Sequence, residues 1–141
     1  MGIHIRPRDK VSDTASRQMS RHTARAVVEA VAASTAELQR VMSRDVNYPA
    51  DPREVLAALV AYRRAQEPVD QSVAEMLAWL EVGGMSRSGM ARGLGVRPAT
   101  LQKILARAGR ITIARACDLT ESEDGHWTVE RPPVRLEAFG A

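Results

Sequence analysis

A stretch in the second half of the chain, SRSGMARGLGVRPATLQKILARA, holds two short helix-forming segments on either side of a tight turn. In the first segment, Met90, Ala91 and Leu94 are spaced for one face of a helix. Ser86 stands where a side chain would cap the start of that helix. Gly95 follows at the position where a residue in the left-handed conformation ends a helix. The pattern therefore predicts a short helix and a sharp turn.

The second segment predicts a helix that packs against the first. Pro98 suits the first helical position, because its φ angle is already fixed and its missing N–H would be unpaired there. Leu101, Ile104 and Leu105 follow at helical spacing and form one apolar face. The small side chain of Ala91 allows the two helices to approach closely. We therefore expect a compact pair of helices that meet at a steep angle.

This layout resembles the DNA-binding helix-turn-helix superfamily. The matching positions are Ala91, Gly95, Val96, Leu101 and Ile104. The resemblance covers residues 70 to 108, or 70 to 131 if a wing follows. It implies a three-helix core whose last helix, residues 98 to 108, enters the major groove of DNA.

Charge supports the same interpretation. Between positions 82 and 117 there is no Asp or Glu, whereas seven residues are basic. The whole chain has a net charge of +3, so the remaining residues sum to −4. A stretch of one sign is typical of a surface that meets phosphates, because a solvated helix face usually mixes charges. An Arg-rich helical hairpin that binds an acidic protein is the alternative.

The resemblance implies roles for individual side chains. Gln102 can contact adenine, Arg97 or Lys103 can contact guanine, and Ala99 or Thr100 can touch a thymine methyl group. Other basic residues are assigned to phosphates, which fix register without specifying sequence. Ser86 and Ser88 could add phosphate hydrogen bonds. The complete predicted DNA-binding set is Arg87, Arg92, Arg97, Ala99, Thr100, Gln102, Lys103, Arg107, Arg110 and Arg115.

The N-terminal part is predicted to be an arm and a long helix. Residues 1 to 12 form a flexible basic arm, which could enter a minor groove or have no role in binding. Residues 13 to 50 are dominated by a helix over 13 to 44, capped by Ser12 or Asp13. A near-heptad seam runs along it through Ala24, Val28, Val31, Thr35, Leu38 and Met42. The seam predicts either a homodimer contact or packing within the domain.

Residues 51 to 131 are predicted to form the DNA-binding domain. Its first helix runs from 52 to 66, with Asp51 as cap, and is expected to bury Val55, Leu56, Leu59 and Val60. Glu67-Pro68 should end it. The next helix, 68 to 82, should place Val73, Met76, Leu77 and Leu80 on one side, with Trp79 partly buried. Residues 45 to 81 have a net charge of −4, so they should face away from DNA and could bind a protein partner.

A β-hairpin is predicted after the second motif helix, from alternating residues at 110 to 117 and 126 to 131 and a turn at Asp124-Gly125. It resembles the wing of winged-helix proteins, although Asp118, Glu121, Glu123 and Asp124 at its tip would repel phosphates. Arg110 and Arg115 at its base would then contact DNA. The alternative is that the hairpin covers the core with Ile111, Ile113, Trp127 and Val129. Residues 132 to 141 form a tail.

Composition restricts the class of protein. Aromatic residues make up only 4% of the chain, which favours a helical core of Ala, Val, Leu and Met. The lone cysteine, Cys117, excludes an internal disulfide, and three scattered histidines give no metal site. No catalytic set or cofactor motif is evident, so we expect no enzyme and no cofactor. Without an apolar span or leader, a cytoplasmic or nucleoid-associated location is expected.

The chain is therefore expected to be mainly α-helical, with a three-helix helix-turn-helix core, preceding helices and a C-terminal hairpin. The first hypothesis is a sequence-specific, homodimeric transcriptional repressor of bacterial, plasmid or phage origin that binds double-stranded DNA. The second is a DNA-binding assembly protein, such as a plasmid centromere-binding adaptor or a phage small terminase subunit. The third is a module that uses its basic helices to bind a protein.

Overall fold

The computed structural model describes residues 3, 5–44, 50–109, 111 and 118–130. These residues form five α-helices followed by a two-stranded antiparallel hairpin, so the expectation of a mainly helical chain with a C-terminal hairpin is confirmed. The elements are α1 Lys10–Met42, α2 Pro52–Arg64, α3 Gln66–Val82, α4 Arg87–Leu94, α5 Pro98–Ala106, β1 Asp118–Glu121 and β2 Trp127–Glu130.

Helix α1 begins three residues before the predicted start. Asp9, rather than Ser12 or Asp13, is its N-cap, and the Asp9 carboxylate accepts a 2.7 Å hydrogen bond from the backbone N–H of Ser12. This bond lowers the pKa of Asp9 below its ordinary value. The backbone hydrogen bond is possible because Asp9 is extended while the residues from Lys10 onward are helical.

The inner face of α1 is made of small and flexible side chains. Ala15 and Met19 are buried in the core, and Thr23 satisfies its buried hydroxyl by donating to the carbonyl oxygen of Met19. The predicted seam lies on another side of the helix. Val28 and Met42 in that seam are 68% and 79% exposed, so packing against the described residues does not account for their apolar side chains.

The break between α2 and α3 lies at Ala65, not at the predicted Glu67-Pro68. Ala65 ends α2 and begins α3, and Pro68 sits in the first turn of α3. A proline is tolerated there because the first N–H groups of a helix have no partner within the helix.

Helix α2 packs with the opposite orientation from the one predicted. Its alanine side, with Ala58 buried, faces the C-terminal part of α1. The four residues predicted to be buried are exposed by 40% to 62%: Val55, Leu56, Leu59 and Val60. Alanines on the inner side allow close approach to α1, whereas the larger side chains would hold the two helices apart.

Two buried clusters meet along α3. One contains Trp79, which is only 1% exposed rather than partly buried as predicted, and it joins residues of α1 and β2. The other joins α3 to α4 and α5 through Leu77, Met90, Leu101 and Leu105. Because α3 carries buried residues of both clusters, it fixes the α4–α5 pair relative to α1.

The hairpin packs on the first half of α1. Trp127 and Val129 are buried, and the Trp127 indole N–H donates to the Gln18 side-chain oxygen at 2.5 Å. This agrees with the expectation that the hairpin covers the core. Ile111 packs against both clusters, while Ile113 lies outside the described residues.

The strand positions differ from the prediction. β1 is Asp118–Glu121, so Asp118 and Glu121 lie in a strand and not at the tip, which is formed by residues 122–126. Leu119 pairs with Val129, and Gly125 takes a φ of +80° in the turn. This register lets Trp127 and Val129 face α1 together, because alternate residues of a strand share a face.

The segment before α1 lies against the turn between α3 and α4. Ile5 forms an antiparallel bridge with Met85, and the Arg6 N–H donates to the Gly84 carbonyl oxygen at 3.2 Å. An added Cβ atom on Gly89 would lie 2.9 Å from the Ile3 side chain, so Ile3 covers α4 there. Within residues 3 to 9, the predicted arm is thus docked at these points.

None of the helices within the described ranges combines the length and the apolar character that a membrane crossing requires. The predicted site residues Arg110 and Arg115, the single cysteine and the tail at 132–141 lie outside the described residues.

Candidate nucleic-acid interface

Helices α4 and α5 form the predicted pair around a left-handed turn. The Ser86 hydroxyl accepts a 3.0 Å hydrogen bond from the Gly89 N–H and caps α4. At the other end Gly95 has φ +68° and ψ +31°, and the Val96 N–H donates to the Ala91 carbonyl oxygen at 3.0 Å. This hydrogen bond closes the turn, as is common where helices end on glycine. The cap, the turn glycine and the first-turn Pro98 were all predicted.

The facing sides of the pair are closely packed. Met90 and Ala91 are 3% and 4% exposed, and Leu101 and Leu105 are each 1% exposed. Leu94 is an exception, because it shares the predicted apolar face of α4 and is nevertheless 49% exposed. Leu94 is the last residue of α4, where the chain turns away at Gly95.

The opposite side of α5 is exposed along its length. All eight described members of the predicted DNA-binding set are exposed: Arg87, Arg92, Arg97, Ala99, Thr100, Gln102, Lys103 and Arg107. Ala99 is followed by Gln102 and Lys103, three and four residues on, and by Ala106 at seven, so the four residues share one outward side of the helix, the outward strip. Ala106 was missing from the predicted set. Its place on this strip follows from helical spacing, but its short apolar side chain gave no chemical signal.

Two of the basic residues are held by carboxylates of α3. The Arg87 guanidinium donates to the Glu81 carboxylate at 2.5 Å, and Arg107 donates to Glu67 at 2.8 Å. These hydrogen bonds raise the pKa of both arginines above the ordinary value. Neither pair was predicted from the sequence, because the acids come from a neighbouring helix. Although residues 82 to 117 contain no Asp or Glu, the surface that α4 and α5 form includes carboxylates of α3.

The remaining cations keep their charge available. Arg92, Arg97 and Lys103 form no ion pair with another described residue. Arg97 is the N-cap residue of α5, so its cation stands at the end of that helix where backbone N–H groups point outward. The three cations and the polar Gln102 and Thr100 thus make a surface suited to a polyanion with hydrogen-bonding groups.

Two histidines that are far apart in the sequence come together away from this surface. The rings of His22 in α1 and His126 in the hairpin turn have centroids 4.9 Å apart. Within the described ranges, no three His, Cys, Asp or Glu side chains are grouped as metal ligands would be. This pair therefore forms a contact between α1 and the hairpin.

The comparisons with known proteins do not add to this description. No protein-family model, no curated protein and no solved structure matches the chain.

Proposed function

We propose that the protein binds double-stranded DNA and places α5 in the major groove, as a helix-turn-helix protein does. The observation that carries the proposal is the outward strip of α5, whose polar and cationic side chains are exposed while Leu101 and Leu105 on the opposite side are buried. The tight α4–α5 turn at Gly95 supports it, because it lets α5 project from a rigid base.

In the proposed complex the side chains divide into two groups. Gln102 and Lys103, on the outward strip, contact base edges, with Arg97, Ala99 and Thr100 beside them. Arg92 and the ion-paired Arg87 and Arg107 contact phosphates. Phosphate contacts set the affinity for any sequence, and base contacts set the preference among sequences. No DNA contact is assigned to the hairpin, because its Trp127 and Val129 side chains cover the core.

The best candidate role is a small homodimeric transcriptional repressor in the bacterial cytosol. A single helix of this size contacts few base pairs, so such proteins usually bind as pairs at two half-sites. Helix α1 is the proposed contact between the two copies. Val28, Val31 and Met42 support this contact, because they lie on one side of α1 and are 68%, 43% and 79% exposed.

The alternative is a DNA-binding assembly protein, such as a centromere-binding adaptor or a small terminase subunit. The observation that favours it is the second exposed apolar side, on α2, because a protein with two self-contacts can build assemblies larger than a dimer. The mass of the complex on DNA distinguishes the two. Two copies per site support the repressor, and a ring or filament supports the assembly protein.

Fluorescence anisotropy with the DNA that flanks the protein's own gene, compared with scrambled DNA over a series of salt concentrations, tests DNA binding. We expect tighter binding to the flanking DNA at physiological salt. Gln102→Ala should lose roughly 5- to 150-fold on the preferred DNA and much less on scrambled DNA. Arg92→Ala should weaken both equally and flatten the salt dependence by about one phosphate contact.

Arg21→Ala in α1 is the matched control, because Arg21 is also exposed but lies outside the α4–α5 surface. It should bind like the wild type. If binding is weak, equal on both DNAs and lost when salt is added, the protein is attracted only to phosphates and does not recognise a sequence. Absence of any DNA binding would favour a protein partner for the basic helices.

A further inference from the structure

The outward side of α2 exposes four large apolar side chains that stand close together on the helix. Val55, Leu56, Leu59 and Val60 form one apolar strip, here called the α2 face, and each is at least 40% exposed. On the other side of the helix, Ala57, Ala58 and Ala61 line the contact with α1. The more apolar side of an amphipathic helix usually faces a protein interior, so this orientation indicates a missing partner.

We propose that the α2 face binds the α2 face of a second copy of this chain, with the two helices antiparallel. The sequence of the strip is a palindrome, VLAALV from Val55 to Val60. In an antiparallel pair related by a two-fold axis, a palindromic helix presents the same pattern to itself. Leu56 then lies against Leu59 of the second copy, and Leu59 against its Leu56, with the axis between Ala57 and Ala58.

The charges at the ends of α2 fit the same arrangement. Asp51 stands at the start of the helix, while Arg63 lies at its end and in line with the α2 face. An antiparallel pair places Arg63 of each copy over the Asp51 end of the other, and a parallel pair would place the two Arg63 side chains together. Antiparallel helix dipoles add to the preference. Arg53 and Arg64 stand at one edge of the strip, where water screens their repulsion.

The size of the surface sets the expected strength. Two thirteen-residue helices cover less than the roughly 1,600 Å² of a standard stable interface, so we expect a dissociation constant in the micromolar range or weaker.

This contact is separate from the α1 contact, because α2 turns its alanine side toward α1. The contact itself does not depend on DNA binding. Only its use depends on the proposed function: copies bound at adjacent DNA sites would be held at a high effective concentration and would bind cooperatively.

Cysteine cross-linking tests the arrangement without DNA. In a background where Cys117 is replaced by serine, Pro52→Cys and Arg63→Cys proteins are mixed under mild oxidation. Opposed positions in an antiparallel pair meet, so the mixture should form the mixed disulfide. Each variant alone should not, because identical positions then lie about 16 Å apart along the helix axis. Self-linking of Arg63→Cys would overturn the antiparallel pairing, and no cross-linking in any sample would overturn the contact.

Sedimentation over a range of protein concentrations gives the second test. Leu59→Lys should raise the dissociation constant of the α2 contact at least ten-fold and leave the separate α1 contact unchanged, since it places a cation in the centre of the strip. Val11→Lys in α1 is the control, because Val11 and Leu59 are 49% and 48% exposed, and it should associate like the wild type. Equal association of Leu59→Lys and the wild type would overturn the proposal. The experiment contains no DNA, so its result is the same whether or not the wild type binds DNA.

Discussion

The Arg107 guanidinium donates a hydrogen bond to the Glu67 carboxylate over 2.8 Å, although the two residues are forty positions apart in the chain. The Gln71 amide strengthens this junction by donating to the Arg107 carbonyl oxygen at 2.9 Å. The start of α3 thus holds the end of α5. The same contact places a negative charge beside the proposed DNA surface and partly neutralises one of its cations.

Removing that negative charge should tighten DNA binding. In Glu67→Gln, Arg107 is released toward phosphates and repulsion between Glu67 and DNA disappears. We expect a gain of about two- to five-fold in affinity on all sequences and a steeper salt dependence, measured by anisotropy. Glu54→Gln is the control, because Glu54 also forms an exposed ion pair, with Arg44, but lies in α2. Equal affinities of Glu67→Gln and wild type would show that Arg107 does not meet the DNA.

Two glycines in and after α4 should respond to alanine with opposite signs. Gly95 has φ +68° and no atom within 4 Å of an added Cβ, so Gly95→Ala costs only backbone strain, about 1–2 kcal/mol of unfolding free energy. Gly93 lies within the helix, and its added Cβ would make an ordinary 3.8 Å contact with Ile3. Gly93→Ala should therefore stabilise, by up to about 1 kcal/mol. Chemical denaturation measures both, and a destabilised Gly93→Ala would contradict this account.

The features of the site that could be predicted from the sequence are those that depend on residues close together in the chain. Ser86 caps a backbone N–H three residues away, and Gly95 and Pro98 act through their own φ angles, so a short stretch of sequence contains the whole cause. The inward position of Leu101 and Leu105 follows from helical spacing alone.

The features that sequence did not predict depend on which side of an element finds a partner. Val55 and Leu59 satisfy the rule for a buried face, yet α2 uses its alanines against α1. Trp79 was predicted to be only partly buried, because the sequence gives no sign that Trp127 and Met19 would enclose it. The ion pairs of Arg87 and Arg107 were not predicted, since the acids that hold them lie on α3. In each case the deciding contact joins distant parts of the chain.

The cap of α1 should make stability depend on pH at the acidic end. The pKa of Asp9 is lowered by the hydrogen bond from the Ser12 N–H, so its carboxylate is more stable in the folded than in the unfolded chain. The contribution is present above the ordinary Asp pKa of 3.8 and is lost as pH falls through the lowered folded-state value. Asp9→Ala should lower Tm by roughly 3–5 °C at pH 7.

Asp9→Asn separates charge from capping, because asparagine also caps helices but does not titrate there. The difference in Tm between wild type and Asp9→Asn should shrink as pH falls below about 4, since only the wild type loses a charged cap. Scanning calorimetry of both proteins at several pH values measures it. A constant difference down to pH 2 would assign the acid sensitivity to other carboxylates.

Gly84 should control whether the segment before α1 stays docked. Gly84 has φ +99°, and an added Cβ would lie within 2.1 Å of the Arg6 carbonyl group, a backbone clash that side-chain motion cannot relieve. Gly84→Ala should therefore release Ile3 and residues 5 to 8 and speed tryptic cleavage after Arg8, which mass spectrometry follows. Gly109→Ala is the matched control, because Gly109 also has a positive φ, +56°, but has open space around its Cβ position. Both substitutions introduce backbone strain, and only the first removes the docking surface. Equal cleavage rates in the two variants would mean that strain, and not the lost contact with Arg6, controls access to Arg8.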